Sequence, residues 1–536
     1  MLLMKGTSLD LRDRRASFAA LEAERFDLLV IGGGITGCGV ARDAAMRGLR
    51  VALIDANDIG SGTSSRSSKL IHGGLRYLLQ KDVLVVREAA NERRILRGIA
   101  PHLALTMPMV IPARSKIAIA QVRALMWSYE KLGRVDKEEE HEVWDADRLR
   151  VEEPHVAGEG LSGAVVYPEY LTDDLRLTLA NARSAACYGA VVVTYAAADK
   201  MIIENGRAAG SVVRSTLPCS EERAEVRARI VVNAAGPWVD AIRRLEDRGA
   251  KKRLQLTKGI HVVLSRDRLP IQWTIIMSTP DGRRIFAVPR GQFVYLGTTD
   301  TFYPKPEYWP EITREDLDYL IDNAGHALDV GPFKGKDIVA LWSGLRPLLG
   351  AEGKKPSEIS RRHEIIEGPR GLLTVAGGKL TSYRSMAERL VNRCEKLLGR
   401  KPHPGPTAKE PLPGGDFTGT VHDLRSRVEG LGLAPYEAER ATLLYGSEAL
   451  SIFAKERGPA VEAAQAVKNE GALTLEDYWM RRSARACFDE DGGLAALEPA
   501  AERMGELLNW SVEEREGQVE ACRARRTAEM RVLQGL

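Results

Sequence analysis

The sequence predicts an α/β protein followed by an all-α region, residues 416–536. Three observations carry that expectation. A strand–turn–helix–strand pattern occupies residues 26–55, and strand-length runs crowd residues 254–302. Helical patterning then takes over after residues 401–415, KPHPGPTAKEPLPGG, a proline- and glycine-rich stretch that reads as a linker.

The first pattern is FDLLVIGGGITGCGVARDAAMRGLRVALID. Its opening run, Phe26–Ile31, is apolar, bounded by glycines and too short for a helix, so it reads as a buried strand. Gly32, Gly34 and Gly37 follow in the spacing G-x-G-x-x-G, with Ile31, Ile35 and Thr36 around them. A helix is expected from about residue 35 until Gly48 stops it, then a second strand ending on Asp55. Gly32 lets the chain leave the strand tightly, Gly34 lets a pyrophosphate approach the backbone, and Gly37 lets the helix pack on the strand. The helix N-terminus offers unpaired N–H groups and a partial positive charge. An acid at the position of Asp55 accepts the hydrogen bonds of an adenosine ribose. Strands, helix and acid together make this a Rossmann-like dinucleotide-binding unit, which a glycine turn alone would not.

With 536 residues the chain holds two to four domains if each takes roughly 100–200 residues. Its 44% hydrophobic and 28% charged residues are an ordinary globular balance. A net charge of +4 gives no ground for a nucleic-acid partner. The six cysteines, at 38, 187, 219, 394, 487 and 522, form no C-x-x-C or zinc spacing and read as reduced thiols. The N-terminus lacks the apolar core of a secretory signal, and no run approaches the roughly 18 apolar residues of a spanning helix. The expectation is a cytoplasmic protein with any membrane contact peripheral. Residues 1–25 read as an extension with an amphipathic second half, Phe18 and Leu21 among charges. It is free to touch a partner, cap the domain or move.

Beyond Asp55 lies a loop rich in hydroxyls: Ser61, Thr63, Ser64, Ser65, Ser67 and Ser68, then Lys69. Such a loop sets many N–H and O–H donors against phosphates or a flat ring. His72, Gly74, Leu75, Arg76 and Tyr77 follow at once, which is not how a flexible linker continues. Residues 83–98 read as a helix. Residues 101–135 mix Met126, Trp127 and Tyr129 with Arg114, Lys116, Arg123 and Lys131, as suits a membrane interface or a buried amphipathic helix. Thr172 or Asp173 can cap the next helix. Residues 228–240 form a strand running into a small-residue turn with Ala235, Gly236 and Trp238. Gly291 turns two strands into a hairpin, and Thr313 with Asp316 starts a helix with a capping box. Residues 338–347 read as a strand carrying Gly344 and Arg346. Gly377 and Gly378 turn another strand into a helix, leaving Lys379, Leu380 and Thr381 at its N-terminus. In the C-terminal region Thr474 and Ser511 look like helix starts. Arg481, Arg482 and Arg485 read there as ordinary helix surface.

The string SGTSSRSSKLIHGGLRYL behind a dinucleotide unit resembles the FAD-dependent glycerol-3-phosphate dehydrogenases, within the D-amino-acid-oxidase-like flavoprotein superfamily. Asn233-Ala-Ala-Gly-Pro-Trp238, Lys258-Gly-Ile-His261, Leu296-Gly-Thr-Thr-Asp300, Ser343-Gly-Leu-Arg-Pro-Leu348 and Gly377-Gly-Lys-Leu-Thr-Ser-Tyr-Arg384 strengthen it. The likeness is strong over roughly residues 26–400 and weak beyond. It implies a Rossmann-like FAD-binding domain in three pieces, residues 26–100, 155–250 and 340–400. A β-rich substrate-binding domain takes 101–154 and 251–339. The implied FAD is non-covalent, held by the glycine turn, Asp55, the hydroxyl loop through Lys69, His72, Gly74, Leu75, Ala235, Gly236, Trp238, Gly344 and residues 378–381. The implied activity is oxidation of sn-glycerol 3-phosphate to dihydroxyacetone phosphate, with electrons passed to a membrane quinone at the inner face of the cytoplasmic membrane. A homodimer is compatible with it. A phosphate substrate calls for fixed cations, and arginine can bind two oxygens at once. Arg76, Arg346, Arg361 and Lys379 stand in matching motifs, with Tyr77 and Thr381 beside them. His72 or His261 is the candidate base, and Arg346 can instead stabilise the forming alkoxide. An oxygen-reducing glycerol-3-phosphate oxidase, an amino-acid oxidase of the same superfamily, and NAD as cofactor stay open at this point.

Overall fold

The computed structural model describes residues 8–73, 83–156, 160–218, 220–350 and 363–534. Two sheets organise it. The first runs in the order Glu364–Glu367, Leu373–Ala376, Arg223–Asn233, Phe26–Ile31, Val51–Ile54, Val191–Val193. Its middle pairings are parallel. Phe26–Ile31 is buried at every position, as a parallel strand with both faces covered must be. Helices Ile35–Met46, Asp174–Cys187 and Tyr383–Leu397 pack together on one face. Gly37, Cys38, Gly39, Val40 and Ala41 are buried in the first of these, and their small side chains allow the close approach. Asp173 caps the second by accepting from the Arg176 N–H.

The N-terminal extension does not stand apart. Helix Arg14–Glu22 packs on strand Arg223–Asn233, burying Phe18 and Leu21. Leu9 forms a backbone bridge with Glu470 of the C-terminal domain. The apolar stripe that left three readings open is a cap.

The second sheet runs Thr301–Tyr303, Leu254–Ser265, Phe293–Gly297, Arg284–Arg290, Thr274–Ser278, Leu105–Ala113, Gly163–Leu171, Leu70–Ile71, with Ile338–Leu349 also paired to Leu254–Ser265. Gly291 turns the expected hairpin at φ +59°. Strands Gly163–Leu171 and Ile338–Leu349 pair here, although the sequence division placed them with the first sheet. Their partners, Leu105–Ala113 and Leu254–Ser265, are distant in sequence, and local pattern cannot choose between two sheets. Residues 101–135 divide in the same way, into strand Leu105–Ala113 and helix Lys116–Gly133.

The C-terminal region is helical, and the Thr313 and Ser511 capping boxes form. Residues 401–415 are not a loose linker. Leu412 is fully buried, its N–H bonds the Ile99 carbonyl at 2.8 Å, and Arg42 donates to the Glu410 carbonyl at 2.7 Å. Arg481 and Arg482 are not surface residues. Both are buried and converge on the buried Asp58, just past the dinucleotide unit, at 2.6 Å and at 2.5 and 2.7 Å. Burial pushes Asp58 up, but the two guanidiniums outweigh it and hold the carboxyl below its ordinary value. Arg485 is partly buried and pairs with Glu462 and Asp489.

Candidate active site

The glycine turn fits the cofactor it was expected to hold. Gly32 sits at φ +116°, and a Cβ there would lie 2.5 Å from the Ala234 carbonyl oxygen. A Cβ on Gly37 would lie 1.8 Å from the Gly32 carbonyl oxygen. Both positions are closed by the protein's own backbone. Gly34 differs: its φ of −75° is ordinary and a Cβ would meet only the Ser64 hydroxyl, at 3.2 Å. Among the described residues nothing else comes within 4 Å of that Cβ, which leaves the approach a phosphate needs. Gly34 has no side chain to cap helix Ile35–Met46, and the Ser64 hydroxyl accepts from the Ile35 N–H at 2.9 Å; the N-terminal field of the helix faces the cleft.

A cavity of ≈ 340 Å³ runs along this turn. Ile31, Gly32, Gly34, Ile35, Thr36, Asp55, Ser61, Thr63, Ser64, Ser67, Ala235, Gly236, Trp238, Gly378, Lys379 and Leu380 all lie on its wall. They come from five separate segments. Asp55 accepts from the Gly33 N–H at 2.6 Å and the Asn57 N–H at 2.8 Å. Burial nevertheless pushes its carboxyl up to about 6. A hydroxyl that donates to Asp55 needs the carboxylate. FAD affinity is therefore expected to be flat above pH about 7 and to fall by up to tenfold per unit below pH about 6. Titration of the apoprotein followed by flavin fluorescence measures this, and a constant affinity down to pH 5 would remove Asp55 from the contact.

A second cavity of ≈ 170 Å³ shares Thr63, Ser67, Pro347, Gly378, Lys379 and Leu380 with the first. Its wall adds Ser68, His72, Gly259, His261, Gly344, Arg346 and Thr381. Arg346 comes from strand Ile338–Leu349. Its guanidinium donates to the Thr298 hydroxyl at 2.9 Å, the Thr299 carbonyl at 3.2 Å and Asp300 at 3.3 Å. It lies against Gly259, where a Cβ would be 2.2 Å from Nη2. Thr381 donates to the His72 carbonyl at 3.2 Å. His261 is buried, stacked 4.6 Å from Trp342, with Nε2 2.9 Å from the Ser68 hydroxyl. Burial, then the Arg346 and Lys69 cations, push it well below its ordinary value. Its imidazole is neutral, as a proton acceptor must be.

Three expected residues stand off the two cavity walls. Gly37 serves packing, and Ser65 donates within the loop to the Gly62 carbonyl at 3.4 Å. Lys69 ion-pairs with buried Asp174 at 2.6 Å. Asp174 also accepts from the Ser67 N–H at 2.8 Å, so this pair shapes the loop. Gly74, Leu75, Arg76, Tyr77 and Arg361 lie outside the described residues. The sequence reading passed over Tyr308, which stacks on Trp238 at 4.3 Å and lines the cofactor cavity. It also passed over Thr298 and Asp300, which aim Arg346. The L-G-T-T-D string held the signal for the latter two; Tyr308 had none. Among the described residues no cluster of His, Cys, Asp or Glu gathers as a metal site.

A family model described as FAD dependent oxidoreductase matches residues 27–384. A second, described as the C-terminal domain of alpha-glycerophosphate oxidase, matches residues 406–515. The chain is 38% identical over 528 residues to an aerobic glycerol-3-phosphate dehydrogenase of Bacillus subtilis (strain 168), covering 92% of this chain and 95% of that protein. A protein of the same name from Staphylococcus haemolyticus (strain JCSC1435) is 37% identical over 516 residues, 92% of each chain. Among solved structures, glycerol-3-phosphate dehydrogenase from Bacillus halodurans complexed with FAD superposes with a TM-score of 0.80 at 30% identity, over 98% of this chain and 99% of that one. The expected architecture, the FAD cofactor and the oxidoreductase class stand on these matches together with the cleft. The chain belongs to the family of FAD-dependent oxidoreductases, on the branch that holds the aerobic glycerol-3-phosphate dehydrogenases.

Proposed function

We propose that this enzyme oxidises sn-glycerol 3-phosphate to dihydroxyacetone phosphate and passes the electrons to a quinone in the membrane. The observation that carries the reading is the small chamber that opens onto the cofactor cleft and is lined by Arg346 and Lys379. An amino-acid substrate would not require several cations there, whereas a phosphate does. FAD held along the glycine turn and by Ser64, Trp238 and Leu380 would supply the hydride acceptor for C2. The neutral His261 and, beside it on the chamber wall, His72 are the two candidates to take the C2 hydroxyl proton. Arg346 supports the alkoxide as it forms, held by Thr298, Thr299 and Asp300 so that little reorganisation is needed.

Helix Lys116–Gly133 supports the membrane acceptor. Ile117 and Trp127 are 72% and 59% exposed, with Lys116, Arg123 and Lys131 exposed on the same helix. This pairing suits an anionic lipid surface. Among the described residues no helix is long and apolar enough to cross a membrane.

One experiment tests both parts. Glycerol 3-phosphate added without air is expected to bleach the flavin of the purified enzyme, and an unbleached flavin overturns the substrate. Quinone in anionic vesicles is then expected to restore the colour, and more slowly for the Ile117→Glu, Trp127→Glu double variant. Equally fast recovery with dissolved oxygen, with peroxide formed, would instead make the enzyme an oxidase.

A further inference from the structure

Tyr308 and Trp238, stacked at 4.3 Å, form part of the cofactor wall. The next residue, Trp309, turns the other way. The Arg66 guanidinium lies 3.9 Å from its ring centroid and that of Arg525 lies 4.0 Å from it. Two like charges cannot share one ring face at that distance, so the indole is held between them. Arg66 is buried, 7% exposed, within the hydroxyl loop whose Thr63, Ser64 and Ser67 line the cofactor cavity. Arg525 belongs to helix Val512–Met530 of the C-terminal domain. That helix is anchored further by Arg526, which donates to the Val339 carbonyl. Glu529 lies in the field of Arg66, Arg525 and Arg526, so the arginines do not simply repel the helix end. One indole thus joins two loops that wall the FAD cleft to a helix whose Arg525 lies 216 residues beyond Trp309 and 459 beyond Arg66.

We propose that helix Val512–Met530 latches the cofactor cleft, with Trp309 and Arg525 as positioning residues that keep bound FAD from leaving. Neither residue is on the chamber wall, and the latch acts through the Tyr308–Trp238 stack and the Arg66 loop. A cation over a desolvated ring contributes enough to change a dissociation rate by roughly tenfold.

The test uses the holoenzyme, diluted far below its FAD concentration at saturation, with FAD release followed by the rise in flavin fluorescence. Trp309→Leu and Arg525→Ala are each expected to speed release by roughly tenfold, while Trp309→Phe, which keeps an aromatic face, stays near wild type. The unfolding midpoint of each apoprotein is measured alongside. Release unchanged in Arg525→Ala overturns the latch, as does faster release that only tracks loss of apoprotein stability. Arg525 is partly exposed, so its variant decides the matter even if Trp309→Leu does not fold.

Discussion

Arg346→Ala is expected to lower kcat/KM for glycerol 3-phosphate by about 10²–10³-fold, the effect of losing one preorganised donor at a developing oxyanion. The flavin absorption of the purified variant should stay intact. The guanidinium lies in the small chamber, not along the glycine turn, and its partners Thr298, Thr299 and Asp300 are off the cofactor wall. Gly259 sharpens the expectation. An added Cβ there would lie 2.2 Å from Arg346 Nη2 and 2.5 Å from the Thr298 hydroxyl. Flexible side chains can move aside, so Gly259→Ala should fold and bind FAD. It should nonetheless lose most of its turnover, because the group that moves is the one that works. Steady-state kinetics on the two yellow proteins make the check. Near-normal turnover in both would remove Arg346 from the chemistry.

Asp58→Ala is expected to cost about 3–5 kcal/mol of stability, the usual effect of leaving a buried charge without its partner. The substitution takes a carboxylate from two guanidiniums, unequally. Arg481 keeps Asp477 at 2.6 Å and Glu476 at 3.0 Å, whereas among the described residues Arg482 keeps hydrogen bonds to the Glu470 carbonyl alone. Loss should therefore appear first where Arg482 sits, as release of the C-terminal domain. Denaturant unfolding gives the size, and limited proteolysis between residues 401 and 490 locates it. A variant as stable and as protease-resistant as wild type would show that the cluster is not a joint. The pH dependence follows the same pair. A carboxyl held below its ordinary value contributes its stability above the usual aspartate range, and the contribution is lost as pH falls through the folded value. Docking of the domain should thus be insensitive to pH near neutrality and fail only in acid.

What could be read from sequence was whatever chemistry imposes at short range. G-x-G-x-x-G with Asp55 is one local unit: Gly32, Gly34 and Asp55 lie on the cleft wall, and Gly37 packs the helix on the strand. The hydroxyl loop, the Asn233–Trp238 string and the Gly377-Gly378 turn likewise carry their role within a few residues. Pairing between distant segments was not legible. Gly163–Leu171 is β-branched and apolar enough for either sheet, and only the antiparallel partner Leu105–Ala113 decides. Arg481 and Arg482 show the same limit from the other side. An arginine pair on a helix is ordinarily solvated, and nothing near it in sequence points to an aspartate 423 residues away. Lys69, expected at the cofactor, lies off both cavity walls for a related reason. Its charge is spent on Asp174, which the sequence shows only as a residue in the first turn of a helix.

The Asp58 joint also has a consequence for how the protein is made. Asp58 leaves the ribosome 423 and 424 residues ahead of its two counter-charges, Arg481 and Arg482. Until then Asp58 keeps its water, because the partners that bury it do not yet exist. The dinucleotide unit, although local in sequence, is expected to bury this loop fully only once those arginines have been made. A chain ended before Arg481 is therefore expected to be cut by protease at the Asp58 loop under conditions in which the longer chain is not.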